Sequence, residues 1–327
     1  MRDGTLFHAL PERPGFDRYD IDLVSPEAPS GAAWLVNCLL ELGVAAWKPW
    51  GSDDRADWHH LDARRYRYVA GDNGWSRVLP ALSSGRTFDF RQGHCVRAHH
   101  AWPDLYPLAK HSLLFVRDPR EALYSAWQRQ RRAQPNAAAD FIAFCASRFF
   151  HYPVSWQDYL LLFLRVWRRA IERDDAKIVR FEDYRHDALA TLLDVTAYLG
   201  IAITREAAQR AVEASSVERI KAEDRRLLAT GVVDALIVRG TPPGEDLRHF
   251  DETIRREVGS RFNELCDWLH YPTTAAVARP RPLHSQHEVH ARILAAFAYA
   301  GIAIDRAGWL STAVFDAVAD IDLLPAP

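Results

Sequence analysis

Ile21-Asp22-Leu23-Val24-Ser25-Pro26-Glu27-Ala28-Pro29-Ser30-Gly31-Ala32-Ala33-Trp34 opens as a short apolar run, turns through a loop rich in Pro and Ser, and enters an apolar helical stretch that continues to Leu42. Short apolar runs bounded by turn residues read as buried strands, so this segment predicts strand, loop and helix in that order. The alternation recurs: further strands are expected at 95–98, 112–116 and 177–181, and helical spacing is present at 159–171 and at 188–199, the latter closed by Gly200. Strands alternating with helices are the pattern of a central parallel β-sheet flanked by helices, so the expected class is α/β with four strands. No internal repeat is apparent.

The chain has 327 residues, 48% of them hydrophobic, which is ample for one large α/β domain or two modest ones. Lys+Arg 41 against Asp+Glu 43 gives a formal charge of -2, so no global basic field advertises nucleic acid or an anionic membrane surface, and neither is expected as a partner. Any anion site must be local. Residues 1–20 carry acids and prolines without an apolar run of signal-peptide length, and nothing later approaches the roughly 18 apolar residues of a membrane span. A cytoplasmic enzyme is the expectation. Cys38, Cys95, Cys145 and Cys266 lack CxxC spacing, which predicts buried free thiols and neither a zinc site nor a disulfide framework.

Residues 1–272 are expected to form the α/β domain, with an insertion at 47–92 rich in Asp, Arg, His, Trp and Gly. So long a connection inside a compact domain is usually functional, so the insertion is read as acceptor-binding. Trp50, Trp58 and Trp75, with His59, lie in this polar stretch, where a packing role is less expected. Trp156, Phe163 and Trp167, at helical spacing, are instead expected in the core, and the run 129–132 reads as a solvated helix face. Residues 273–327 are expected to be a linker followed by a small helical extension at 287–300 and 307–318. Its apolar stripe through Ile293, Ala296 and Phe297 suits covering the active site, pairing two subunits as a homodimer, or packing on the core.

The chemistry begins at the first loop. A loop that carries a strand into a helix presents backbone N–H groups and the positive end of the helix dipole, an anion site that needs only small residues to admit a phosphate. Ser30, Gly31, Ala32 and Ala33 are small, although a simple turn would read the same way. GxxxxGK[ST] is absent, which argues against an ordinary ATP or GTP enzyme. Then comes Leu113-Leu114-Phe115-Val116-Arg117-Asp118-Pro119-Arg120-Glu121-Ala122-Leu123-Tyr124-Ser125, a strand ending in Arg, a Pro suited to a first helical turn, and a Ser eight residues after the Arg. A guanidinium forks across two phosphate oxygens while a hydroxyl donates a third bond. The alternative is that Arg117 pairs with an acid and Ser125 is a surface serine.

The order of these motifs resembles the PAPS-dependent sulfotransferase family, in which the first loop reads like Ser-Tyr-Pro-Lys-Ser-Gly-Thr-Thr-Trp and holds the 5′-phosphosulfate. Here Ser30-Gly31-Ala32-Ala33-Trp34 keeps the Ser-Gly-x-x-Trp core. The family's 3′-phosphate motif, Arg-x-Pro with a Ser eight after the Arg, is matched by Arg117, Pro119 and Ser125. Its Lys-Thr-His strand end, whose His is the general base, is similar to Arg97-Ala98-His99, and its Tyr-Glu-Asp segment to Phe181-Glu182-Asp183. Ser215-Ser216-Val217 resembles the Thr-Ser-Phe segment near the adenine, and Arg239-Gly240-Thr241-Pro242-Pro243-Gly244 the late Arg-Lys-Gly-x-x-Gly loop over the cofactor. The resemblance spans residues 21–271 and departs in places. Pro29 stands where the family has a cation before Ser-Gly, Ala32 and Ala33 replace two threonines, Phe181 stands for Tyr and Val217 for Phe.

What the resemblance implies is transfer of the sulfuryl group from 3′-phosphoadenosine-5′-phosphosulfate (PAPS) to a hydroxyl of a small-molecule, sugar or natural-product acceptor, leaving 3′-phosphoadenosine-5′-phosphate (PAP). His99 would accept the hydroxyl proton, Arg97 would replace the missing loop cation, and Arg117, Ser125 and Arg239 would hold the 3′-phosphate. No metal is required. His100 would point to the opposite side of a continuing strand, toward the acceptor, or do the work in place of His99. Two other classes stay open: a P-loop-type kinase, with Asp118 as its magnesium-binding acid, and a nucleotide-binding protein that has lost turnover with its loop cation.

Overall fold

The computed structural model describes residues 20–26, 28–47, 65–67, 87–89, 92–99, 111–133, 138, 140–149, 154–172, 176–231, 236 and 238–275. The chain runs β1 (Ile21–Val24), α1 (Ala32–Glu41), β2 (Ala45–Trp47), β3 (Arg65–Arg67), β4 (Thr87–Asp89), β5 (Cys95–His99), β6 (His111–Val116), α2 (Pro119–Ala133), α3 (Phe141–Ala146), α4 (Trp156–Glu172) and β7 (Lys177–Arg180). It continues through α5 (Phe181–His186), α6 (Ala188–Tyr198), α7 (Arg205–Ala214), α8 (Val217–Ala229), a 3-10 turn at Asp246–His249, α9 (Glu252–Glu257), a second 3-10 turn at Gly259–Phe262, and α10 (Asn263–Trp268).

The main sheet has five strands in the order β2-β5-β1-β6-β7, all parallel. Five rather than the expected four is a correction: β2 is a three-residue edge strand of Ala45, Ala46 and Trp47, too short and too poor in β-branched residues to stand out from its surroundings. Phe181 is likewise not the end of β7 but the first residue of α5, whose first turn holds Glu182 and Asp183 at the positive end of its dipole. The 47–92 stretch contributes Trp47 to β2 and, through Arg65–Arg67 and Thr87–Asp89, a separate antiparallel pair. Residues 276–327, which include both expected helices of the extension, lie outside the described residues.

Alternation along the strands sorts the core into two layers. Leu114, Val116 and Val24 face α2 and α4 and join a cluster with Trp156, Phe163 and Trp167, the last two fully buried as expected. Ile21, Leu23, Leu113 and Phe115 face the other way and pack with Trp34, Leu35 and Leu39 of α1 and with α6 and α7. Each such large side chain removed from water contributes about 1.5–3 kcal/mol, so the sheet is held from both faces. The cysteines are free and buried, as expected. No described helix is long and apolar enough to cross a membrane.

Because the strands are parallel, their carboxyl ends share one edge, the edge where open α/β sheets bind ligands. The loops after β1 and β6, and α5 directly after β7, all leave from it. The helix that receives the first loop is fixed from behind: Asn37 of α1, fully buried, donates its Nδ2 to the Ser215 Oγ at 2.6 Å. Ser215→Ala would strand that amide, and equilibrium urea unfolding should show a loss of about 1–3 kcal/mol. An unchanged midpoint would mean that α1 does not depend on this bond.

Candidate functional site

At the start of α1, Gly31 adopts φ 93, a left-handed conformation that favours glycine, and supplies no side-chain cap to the helix. The first-turn N–H groups are therefore not claimed by a capping side chain, and Ala32 and Ala33 beside them are half-buried. Pro29 is half-buried and Ser30 buried. Phe181 presses on this turn so closely that a Cβ on Gly31 would lie 2.7 Å from its Cδ2. Trp34 stacks on Tyr184, with centroids 4.0 Å apart and planes 13° apart, and Phe181 meets Tyr184 edge-on at 5.3 Å. The sequence folds this way because the loop needs a residue without a side chain where α5 begins.

The end of β6 carries the densest charge. Arg117, 7% exposed, points an Nη2 at Glu121 Oε2 (3.3 Å) and at Asp246 Oδ2 (3.4 Å), and its guanidinium lies 4.6 Å over the Phe181 ring. Arg239 arrives from the late loop and grips the same Asp246 with both Nη atoms, at 2.9 and 2.6 Å. Asp246 is fully buried. Two guanidiniums from distant stretches thus share one carboxylate, while the buried Nε of Arg117 and Oε1 of Glu121 have no hydrogen-bond partner. A buried donor left unmatched on one of two converging arginines is a group for which an incoming anion would complete the shell. Tyr124 packs between Arg239, 5.8 Å from its ring, and His249, stacked at 5.6 Å.

A second network pins the turn that aims Arg117. Glu182 Oε1 accepts the Asp118 backbone N–H at 3.1 Å, and Tyr271 donates its hydroxyl to Glu182 Oε2 at 2.5 Å. Asp118 spends both carboxylate oxygens on its neighbour Arg120, whose Nε reaches Oδ1 at 2.9 Å and Nη2 reaches Oδ2 at 2.5 Å. That engagement speaks against Asp118 as a magnesium ligand. Among the described residues no group of three His, Cys, Asp or Glu side chains is arranged to hold a metal. Burial pushes the Glu182 carboxyl above its ordinary range, and pushes the Tyr271 hydroxyl up as well.

The structure brings together Gly31 and Phe181, and Arg117 and Arg239. Ser125 is buried on α2 one turn beyond Glu121, on the same face. Ser215 closes α7 and is engaged by Asn37, and Val217 packs against Gly240 in the late loop. Arg97 and His99 lie on β5, in register with Asp22 and Val24 of β1, so His99 sits beside the strand end from which the first loop springs. His100, Trp50, Trp58, His59 and Trp75 lie outside the described residues. Glu121, Asp246 and Tyr271 were not singled out by sequence, and Glu182 entered only within the segment resembling Tyr-Glu-Asp, without a role; an acid one helical turn after Arg117 was a local signal for Glu121, and Asp246 and Tyr271 had none.

Residues 105–231 match the family model described as the sulfotransferase domain. A curated relative, Sulfotransferase 6B1 of Mus musculus, is 23% identical over 117 residues, a match covering 36% of this chain and 38% of the relative's length. Among solved structures, retinol dehydratase in complex with androsterone and inactive cofactor PAP aligns with TM-score 0.51 at 16% identity, covering 85% of this chain and 86% of that one. Mouse sulfotransferase SULT7A1 complexed with PAP aligns at TM-score 0.49 and 17% identity, over 76% and 84% of the two chains. The retinol dehydratase likeness is one of fold.

Burial holds the Glu121 carboxyl above its ordinary range against the opposing pull of Arg117, with Asp118 and Asp246 adding to the upward push. Folded Glu121 therefore keeps a proton that the unfolded chain has already released, so its contribution favours folding at low pH and declines as pH rises from about 4.3 through the raised value. Unfolding free energies measured across that window should fall less steeply in Glu121→Gln than in the parent. A slope identical in both would show that Glu121 titrates normally.

Proposed function

We propose that this chain, whose residues 105–231 are a sulfotransferase domain within a sulfotransferase fold, transfers the sulfuryl group of PAPS to a hydroxyl of a small-molecule, sugar or natural-product acceptor. The observation that carries the reading is the convergence of Arg117 and Arg239 on one buried carboxylate, beside a helix start free of a capping side chain. An adenine nucleotide bearing both a 5′-phosphosulfate and a 3′-phosphate needs two anion sites of this kind, and the matched domain spans the Arg117 turn and α8. The orphaned Nε of Arg117 fits such a ligand, because it is a buried donor that a phosphate oxygen would satisfy.

In this reading the helix start at Gly31, Ala32 and Ala33 holds the 5′-phosphosulfate through backbone N–H groups, and Trp34, Phe181, Ser215 and Val217 belong to the nucleotide side of the site. Arg117, Ser125 and Arg239 take the 3′-phosphate. ATP lacks that group and would leave the arginines without it, which is the basis of donor choice. His99 removes the proton from the acceptor hydroxyl as its oxygen bonds to sulfur. The bond from sulfur to the bridging oxygen breaks in line, and PAP departs with the electron pair. Arg97 stands near the sulfuryl group in place of the cation that Pro29 displaces. Little covalent chemistry falls to the protein, so positioning and charge stabilisation carry most of the acceleration. The 47–92 stretch, with Trp50, Trp58, His59 and Trp75, and His100 form the acceptor side.

Isothermal titration with PAP, 5′-AMP and ATP tests the donor site. Selective PAP binding that weakens by about tenfold to a hundredfold in Arg117→Ala is expected, in line with loss of charge-assisted bonds. Preference for ATP with magnesium would favour a kinase instead. With labelled PAPS and a competent acceptor, His99→Ala should lower turnover by about 10²-fold or more while PAP affinity stays unchanged.

A further inference from the structure

The late loop that carries Arg239 is held against one face of α8, through residues spaced as one helical face presents them. Asp224, almost fully buried, accepts the Val238 backbone N–H at 2.9 Å, and Val217 and Lys221 cover Gly240. Gly240 adopts φ 64, and a Cβ placed on it would meet Val217 Cγ1 at 2.9 Å, Lys221 Cε at 2.2 Å and Lys221 Nζ at 2.6 Å. The space that any other residue's side chain would occupy is therefore filled by the end of a lysine from another element. The ammonium is carried to the residue that directly follows Arg239.

Among the described residues no carboxylate lies within ion-pair distance of Lys221; Asp224, one turn further along α8, accepts the Val238 N–H, and Asp246 is held by the two arginines. Lys221 is half-buried rather than spread into solvent. Arg132, at the end of α2, is held below the ordinary guanidinium range first by burial and then by the charge of Arg239, with Asp224 pulling the other way, so a third cation lies near the loop. An ammonium without an ion-pair partner, held against the loop that carries a guanidinium, is placed so that both cations would attract one anion. The loop itself supplies one cation, where the Arg-Lys-Gly-x-x-Gly motif it resembles has two, and Gly240 occupies the second place.

We infer that Lys221 is a nucleotide-binding residue: reaching across Gly240, it supplies the loop's second cation and contacts the 3′-phosphate of the donor. This rests on the sulfotransferase reading above. Gly240 is then required less for its backbone freedom than for the passage it leaves to the lysine.

The test is titration of PAP and 5′-AMP into the full chain and into Lys221→Met, which keeps the apolar stem over Gly240 and removes the charge. PAP affinity should fall by about tenfold with 5′-AMP affinity unchanged, the salt dependence of PAP binding should flatten, and Lys221→Arg should restore most of the loss. Thermal melts of each variant verify that it folds. If the parent binds PAP and Lys221→Met binds it equally well, or loses PAP and 5′-AMP alike, Lys221 is not at the 3′-phosphate while the sulfotransferase reading stands. If the parent itself shows no preference for PAP over 5′-AMP, both fall together.

Discussion

Two arginines sharing the buried carboxylate of Asp246 is the interaction on which the site depends. Arg117 stands at the end of β6, Arg239 in the late loop, and Asp246 is 129 residues from Arg117 in sequence, so the pair fastens the carboxyl edge of the sheet to a segment that has no strand among its described residues. Breaking a buried pair from one side leaves an uncompensated charge and costs far more than the pair contributes when intact. With Glu121 beside Arg117, the cluster holds two positive and two acidic groups. In the proposed function an entering phosphate would compete with carboxylates already in place, and proton uptake by Glu121, whose carboxyl burial holds above its ordinary range, would ease that conflict.

Around this cluster the architecture does the aiming. The Asp118 turn is stapled by Glu182 and Tyr271, so the backbone direction of Arg117 is set before any ligand arrives. Asp118 is itself absorbed by Arg120. A strand-end acid next to an arginine therefore serves turn geometry here, where the bare sequence left open a role in metal binding.

Much of the fold was legible because β6 carries the apolar run Leu113 to Val116, β7 the β-branched pair Ile178-Val179, and α1 a broad apolar face. Ala45-Ala46-Trp47 gave no such signal, since an edge strand of three residues is defined by its partner β5 rather than by its own pattern. Phe181 read as a strand residue because it lies two residues beyond Val179, in alternation with it; its place at the start of α5, against Gly31, is decided by packing. The cationic half of the site could be read from residue types in family-like spacing. The acidic half could not, because Asp246 lies in a polar stretch where an acid reads as solvated, and only the fold reveals that it is fully buried. Lys221 was hidden for a related reason: a lysine on an amphipathic helix looks like surface until the glycine opposite it is seen.

The strand order carries a consequence for how the molecule comes to exist. β1 is the centre of the five-stranded sheet and the earliest of its strands in the chain, yet Ile21 pairs with Val96 on one side and His111 on the other. During synthesis this apolar strand has no partner until far more chain has emerged, and the same holds for the helix behind it, whose Asn37 waits for Ser215. Parallel pairing across such separations makes folding slow and late, with the loop-closure entropy met before any contact rewards it. The loop after β1 is thus among the first parts of the candidate site to be made and among the last to acquire its shape.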